Sequence, residues 1–87
     1  MDEDYKRIID RAIRIREKKQ QLYADSWKNM SIEENFIFIK NKFERLKMLI
    51  NKNITSNEIE TAEDTLLDLI NYSAFLVYNL NKTEQQK

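Results

Sequence analysis

The stretch EDTLLDLINYSAFLVYNL, from Glu63 to Leu80, decides how this chain folds. Its apolar residues, among them Leu66, Leu67, Leu69, Ile70, Phe75, Val77 and Leu80, leave almost no side of a helix polar. A surface helix gathers polar residues on its solvent side and keeps a single apolar stripe. A helix that is apolar nearly all round is expected to be enclosed by neighbours. Within its apolar middle stand the acid Asp68 and the amide Asn71. A carboxylate buried without a partner costs several kcal/mol or takes up a proton. Asp68 is therefore expected beside a cation, a metal or a ligand, and Arg45 or Lys42 across a helix interface is the simplest choice.

Capping signals set the remaining boundaries. Ser31 followed three residues on by Glu34 reads as a capping box and starts a helix over about residues 31–52. Its apolar stripe is Ile32, Phe36, Ile39, Phe43, Leu46 and Ile50, spaced 4, 3, 4, 3, 4, nearly two heptads of seam. That spacing predicts close helix packing. Thr55 with Glu58 reads as a second box, opening a helix over 56–81, with 82–87 expected to fray. A first helix spans about 3–23, with Tyr5, Ile8, Ala12, Ile15, Lys19 and Leu22 along one side. YADSWKNM breaks its pattern, and Asp25-Ser26 reads as a loop.

The expected fold is all-α: a single domain over 1–87, a three-helix antiparallel bundle that oligomerises through its helix faces. Phe38, Leu49, Phe75 and Tyr78 lie off the main stripes. A monomer would expose them as a patch, and large apolar patches mark partners. At least a homodimer is expected.

Composition removes many function classes. There is no Gly, Pro, Cys or His. Glycine-rich phosphate loops, disulfides, zinc sites, thiol nucleophiles and imidazole bases are thus excluded together. Fifteen basic residues balance fifteen acidic ones, so no net field steers the chain to nucleic acid or to an anionic membrane. The basic run Arg11, Arg14, Arg16, Lys18, Lys19 reads first as an exposed face, with nucleic acid a poor second. The start MDEDYKR is charged, with no apolar run behind it, which predicts no secretory leader. No stretch is long and apolar enough to span a bilayer. A cytoplasmic protein is expected, in the host cytoplasm if phage-encoded.

Three blocks carry a family resemblance: YADSW (Tyr23–Trp27), KNKFERLKMLI (Lys40–Ile50) and ETAEDTLLDLINYSAF (Glu60–Phe75). Together they resemble the nucleotide-modification-associated domain of phages and bacteria, a small helical family of unsettled reaction. Tyr23, Asp25, Ser26, Trp27, Lys42, Arg45, Leu46, Asp64, Asp68, Asn71 and Tyr72 occupy its motif positions. The resemblance implies an association with nucleotide metabolism. A more distant likeness is to the MazG-type nucleotide pyrophosphatases, which hold Mg²⁺ between carboxylates of two adjacent helices.

Hard Mg²⁺ takes oxygen ligands and keeps several waters. Glu60, Asp64 and Asp68 recur every four residues and offer one side of such a site. The second helix offers no other side, because its middle carries Lys40, Lys42, Arg45 and Lys47. The chemistry therefore favours binding an anion over cutting one. In that reading Lys42 and Arg45 contact phosphate, Asp68 and Asn71 orient them or bond the ligand, and Tyr23 or Trp27 covers a base. The alternatives are a Mg²⁺-dependent MazG-like pyrophosphatase and a structural or protein-interaction module without ligand. For Asp68 with Asn71, for Tyr23 and for Trp27, helix packing is the competing assignment.

Overall fold

A computed structural model describes residues 2–23, 25–52 and 55–85, with backbone alone for 21–23 and 83–85. Its elements in chain order are α1 (Glu3–Tyr23), a 3-10 turn (Ser26–Asn29), α2 (Ile32–Asn51) and α3 (Ile59–Gln85). The described residues form no strand, and the all-α three-helix fold is the one expected.

Local chemistry explains most of the boundaries. The Asp2 carboxylate accepts from the Asp4 amide at 2.8 Å, and Glu3 and Asp4 follow in the first turn of α1. Acids there face the positive end of the helix dipole. At α2 the Ser31 hydroxyl accepts from the Glu34 amide at 3.1 Å, while the Glu34 carboxylate accepts from the Ser31 amide at 3.4 Å. This is the reciprocal capping box that the sequence predicts. Ser31→Ala is expected to cost about 1 kcal/mol, read as a lower urea midpoint at unchanged slope.

The third helix departs from expectation at both ends. The Thr55 hydroxyl donates to the Glu58 side chain at 3.2 Å, and the Glu58 amide bonds the Thr55 carbonyl, closing a separate turn. The first helical bond runs from Ala62 to Glu58, so α3 begins at Ile59 rather than 56. It also continues to Gln85, past the fraying expected from 82. One tie in that last part is visible: the Lys82 ammonium donates to the Lys28 carbonyl at 3.2 Å.

The helix α3 is the shared element. Asn35, Phe38 and Lys42 of α2 meet Asn79, Tyr72 and Asp68 of α3 in reverse order, so the two helices run antiparallel. The helix α1 is clasped to α3 at three points. Arg11 pairs with Glu63 at 2.9 Å, Lys19 pairs with Asp68 at 3.0 Å, and the Asn71 amide donates to the Ala12 carbonyl at 3.0 Å.

The α2–α3 contact mixes buried polar pairs with part of the expected apolar seam, of which Ile32, Ile39 and Leu46 are half-buried. Asn35, Thr65 and Asn79 are the fully buried polar residues described, and Asn79 donates to Asn35 at 2.6 Å. The Thr65 hydroxyl satisfies itself on the Thr61 carbonyl at 2.8 Å. Only Ala12, Ala62 and Leu67 are fully buried apolar residues among those described. Leu66, Val77 and Leu80, expected to be enclosed, are about half exposed. So are Phe36, Phe43 and Ile50 of the expected seam. Of the four residues expected as an exposed surplus, Phe38 and Tyr78 are exposed although they join an aromatic array, while Phe75 in that array and Leu49 are half-buried.

The shape reflects this. The radius of gyration is 14.6 Å, against about 12 Å for a compact domain of this length.

Candidate functional site

A cavity of about 460 Å³ opens where α1, the 3-10 turn and α2 meet the middle of α3. Ligand pockets span roughly 300–1,000 Å³. Its walls are aromatic: Trp27 from the turn, Phe38 from α2, Tyr72 and Phe75 from α3. Arg16 and Lys19 enter it from α1, and Asp68 and Asn71 from α3.

The aromatic side chains form a continuous array. Trp27 stacks on Phe75 with ring centroids 4.5 Å apart and 18° between planes. Phe75 meets Tyr72 edge-on at 5.8 Å, and Tyr72 stacks on Phe38 at 5.3 Å. Tyr78 completes it, edge-on to Trp27 at 5.1 Å. Offset-stacked and edge-to-face pairs at these separations each contribute about 0.5–1.5 kcal/mol beyond area burial. Arg16 lies 5.0 Å and Lys28 5.4 Å from the Trp27 ring centre, within range of the ring quadrupole. Trp27 is thus fixed in the cavity wall and is not a free lid.

The turn that carries Trp27 is itself held from several sides. The Lys28 amide bonds the Asp25 carbonyl at 2.9 Å, and Gln20 donates to the Asp25 carboxylate at 3.2 Å. The buried Asn79 amide donates to the Trp27 carbonyl at 3.1 Å. The loop read at Asp25-Ser26 is therefore a short, well-tied helical turn.

Asp68 has its cations. Lys19 bonds Oδ1 at 3.0 Å and Lys42 bonds Oδ2 at 2.9 Å, and only 13% of the Asp68 side chain is exposed. Burial pushes its carboxyl up, but hydrogen bonds and charges from Lys42 and Lys19 together outweigh this and hold it below the ordinary value. Two ammonium groups on one carboxylate leave one positive charge over, and Arg16 adds another. The cavity is locally cationic in a chain of zero net charge.

The expected site residues separate accordingly. Lys42, Asp68 and Asn71 come together, with Asn71 clamping α1 through the Ala12 carbonyl. Trp27 joins them in the wall. Arg45 does not: it is exposed, makes no ion pair among the described residues, and lies apart from the cavity lining. By the 100° rule it points about 60° away from Lys42 on α2, which is enough to carry it off the interface. Tyr23 ends α1, and its side chain falls outside the described residues.

Glu60 and Asp64 are exposed on α3, and no three metal-capable side chains gather among the described residues. The third candidate, Asp68, already has an ammonium group on each oxygen. The proposed Glu60–Asp64–Asp68 metal set is therefore not assembled as a cage.

Sequence reasoning passed over Arg16 and Lys19 by assigning them to an exposed basic face. A signal was present: Lys19 falls in the row Tyr5, Ile8, Ala12, Ile15, Leu22, a charge inside an apolar stripe. Asn35 and Asn79 were also passed over. Asn79 lies seven residues after Tyr72 and fourteen after Thr65, on the face that meets α2.

Searches against protein-family models, curated proteins and solved structures return no match to this chain. No helix of the described residues is long and apolar enough to cross a membrane.

Proposed function

We propose that the protein binds a nucleotide or a related phosphorylated small molecule in this cavity, as an oligomer of the chain. The observation that carries the reading is the lining itself, with four aromatic walls and the cations Arg16 and Lys19 in one concave site. Base–aromatic stacking contributes about 1–3 kcal/mol per base, and a guanidinium binds phosphate oxygens bidentately. Arg16 and Lys19 take the phosphate role first given to Lys42 and Arg45. Lys42 supports it from behind by holding Asp68. The resemblance to the nucleotide-modification-associated domain agrees with this ligand class, and for a phage-type protein it suggests modified-nucleotide metabolism or sequestration of a host nucleotide signal.

Trp27 is the sole tryptophan, so its fluorescence reports on the cavity directly. Titration with a nucleoside triphosphate should quench it, inorganic triphosphate should compete, and the bare nucleoside should bind more weakly. Arg16→Ala should weaken triphosphate binding about tenfold, the loss of one charge-assisted contact. No quenching and no calorimetric heat at millimolar nucleotide would remove the proposal. Release of pyrophosphate in the presence of Mg²⁺ would instead support a pyrophosphatase.

A further inference from the structure

The hairpin of α2 and α3 is apolar on its outside. On α2, Phe36, Phe43 and Ile50 recur every seven residues and are 59%, 55% and 55% exposed. On α3, Ile59, Leu66, Val77 and Leu80 fall on one heptad seam and are 49%, 46%, 57% and 47% exposed. Both rows keep a 3.5-residue period, the spacing that holds a row against another helix over several turns.

The two rows share one face. At 100° per residue the α2 row stands about a quarter turn from Asn35 and Lys42, which meet α3. The α3 row stands about a third of a turn from the Thr65–Tyr72–Asn79 line that meets α2. Of the residues of α3 that meet α1, Asn71 lies about 100° and Asp68 about 40° to the other side of that line, and Glu63 lies opposite it. Because α2 and α3 are antiparallel, both rows fall on the side of the hairpin away from α1 and from the cavity. Nothing in the described chain covers this face.

We propose that a second copy of the chain covers it, hairpin against hairpin, so that two α2–α3 pairs enclose a four-helix apolar core. This deepens the oligomer reading above by assigning its interface, and it leaves the ligand cavity open on the opposite side. Area supports the occupant. The chain exposes 6874 Å², whereas a compact monomer of 10.6 kDa exposes about 5,500 Å². Two chains each hiding about 800 Å², little more than half of that excess, would bury about 1,600 Å² in total, the size of a standard stable interface. The flank of the α2 row carries Lys40 and Lys47 beside Glu33 and Glu44, both signs together. That suits a symmetric protein partner better than an anionic lipid surface, which selects lysine and arginine alone.

Ser73 lies on the α3 seam between Leu66 and Val77, is exposed, and the chain has no cysteine of its own. Mild oxidation of Ser73→Cys should give a cross-linked dimer, whereas Lys18→Cys on exposed α1 should not. Sedimentation of the unmodified chain should give about twice 10.6 kDa at micromolar concentration. Phe43→Glu should raise the dimer dissociation constant at least about a hundredfold, as expected for a buried aromatic anchor. A chain that stays monomeric far above micromolar concentration would sink both the face and the oligomer reading. A dimer that resists Phe43→Glu and cross-links through Lys18→Cys alone would overturn the face while leaving self-association standing. Vesicle binding by a monomer would replace the second copy with a membrane surface.

Discussion

Asn79→Asp is expected to be the most damaging single-atom change in this protein. Asn79 is 3% exposed, and its amide nitrogen donates to the Asn35 side chain and to the Trp27 carbonyl. The aspartate keeps the shape but puts an acceptor where both partners need a donor. It also places a carboxylate in a nearly dry site, with the Lys82 ammonium, which bonds the Lys28 carbonyl, one helical turn away. A desolvated carboxylate that has lost both donated bonds and is only partly offset by a neighbouring lysine is expected to cost on the order of 3 kcal/mol, a large part of a small domain's stability. Asn79→Ala removes the bonds without adding charge and should cost less, about 1–3 kcal/mol.

The pH dependence identifies the cause. A buried aspartate has its carboxyl pushed up in the folded state, so between the unfolded value, about 4, and the raised folded value the native state binds more protons. Stability of Asn79→Asp should therefore rise as pH falls from 7 toward 4. Urea midpoints across that range are the measurement. A cost for Asn79→Asp no greater than for Asn79→Ala, with no recovery in acid, would show that the Asn35–Asn79 pair is not what holds this end of the hairpin.

The second large effect belongs to Asp68 and has the opposite sign. Its folded carboxyl is held low, so the unfolded chain binds the proton more readily. The stabilisation from Lys19 and Lys42 is then fully present above the unfolded value, about 4, and is lost as pH falls through the lower folded value. At pH 7, Asp68→Asn should cost about 1–3 kcal/mol. That figure is discounted from a fully dry pair because the Lys19 and Lys42 side chains are 48% and 23% exposed. The difference between the two proteins should shrink as pH drops below 4. A difference that stays constant from neutral pH to well below the ordinary carboxylate value, about 4, would mean the carboxylate charge is not what matters. Calorimetry on Lys19→Ala and Lys42→Ala apportions the two contacts. Each single change should cost less than Asp68→Asn, since the other ammonium group still neutralises the carboxylate.

The buried polar pairs and the exposed apolar rows belong together. A polar hairpin interface fixes register, because Asn35 must meet Asn79 and Lys42 must meet Asp68 for either to be satisfied. Beside these pairs the Phe38–Tyr72 stack and the half-buried Ile39 and Leu46 supply apolar contact. The rows turned outward would add to it only under the second copy proposed above. The aromatic array around Trp27 holds the turn and α3 together within one chain.

Much of this was legible in the sequence. Helical periodicity and the Ser31–Glu34 box determined three helices and the start of the second, because these are local features of backbone and neighbouring side chains. The demand that Asp68 have a cation followed from its apolar surroundings, and two lysines meet it. Periodicity states which residues share a face. It does not state which face meets which neighbour. Of the one apolar stripe expected on α2, Ile32, Ile39 and Leu46 turn inward and the heptad row Phe36, Phe43, Ile50 lies outside. The choice between Arg45 and Lys42, and the arrival of Arg16 and Lys19 from a helix about fifty residues away in sequence, depend on how α1 and α2 are rotated about α3. Those rotations are set by long-range partners such as Asn79 with Asn35 and Asn71 with Ala12, whose pairing no local pattern encodes.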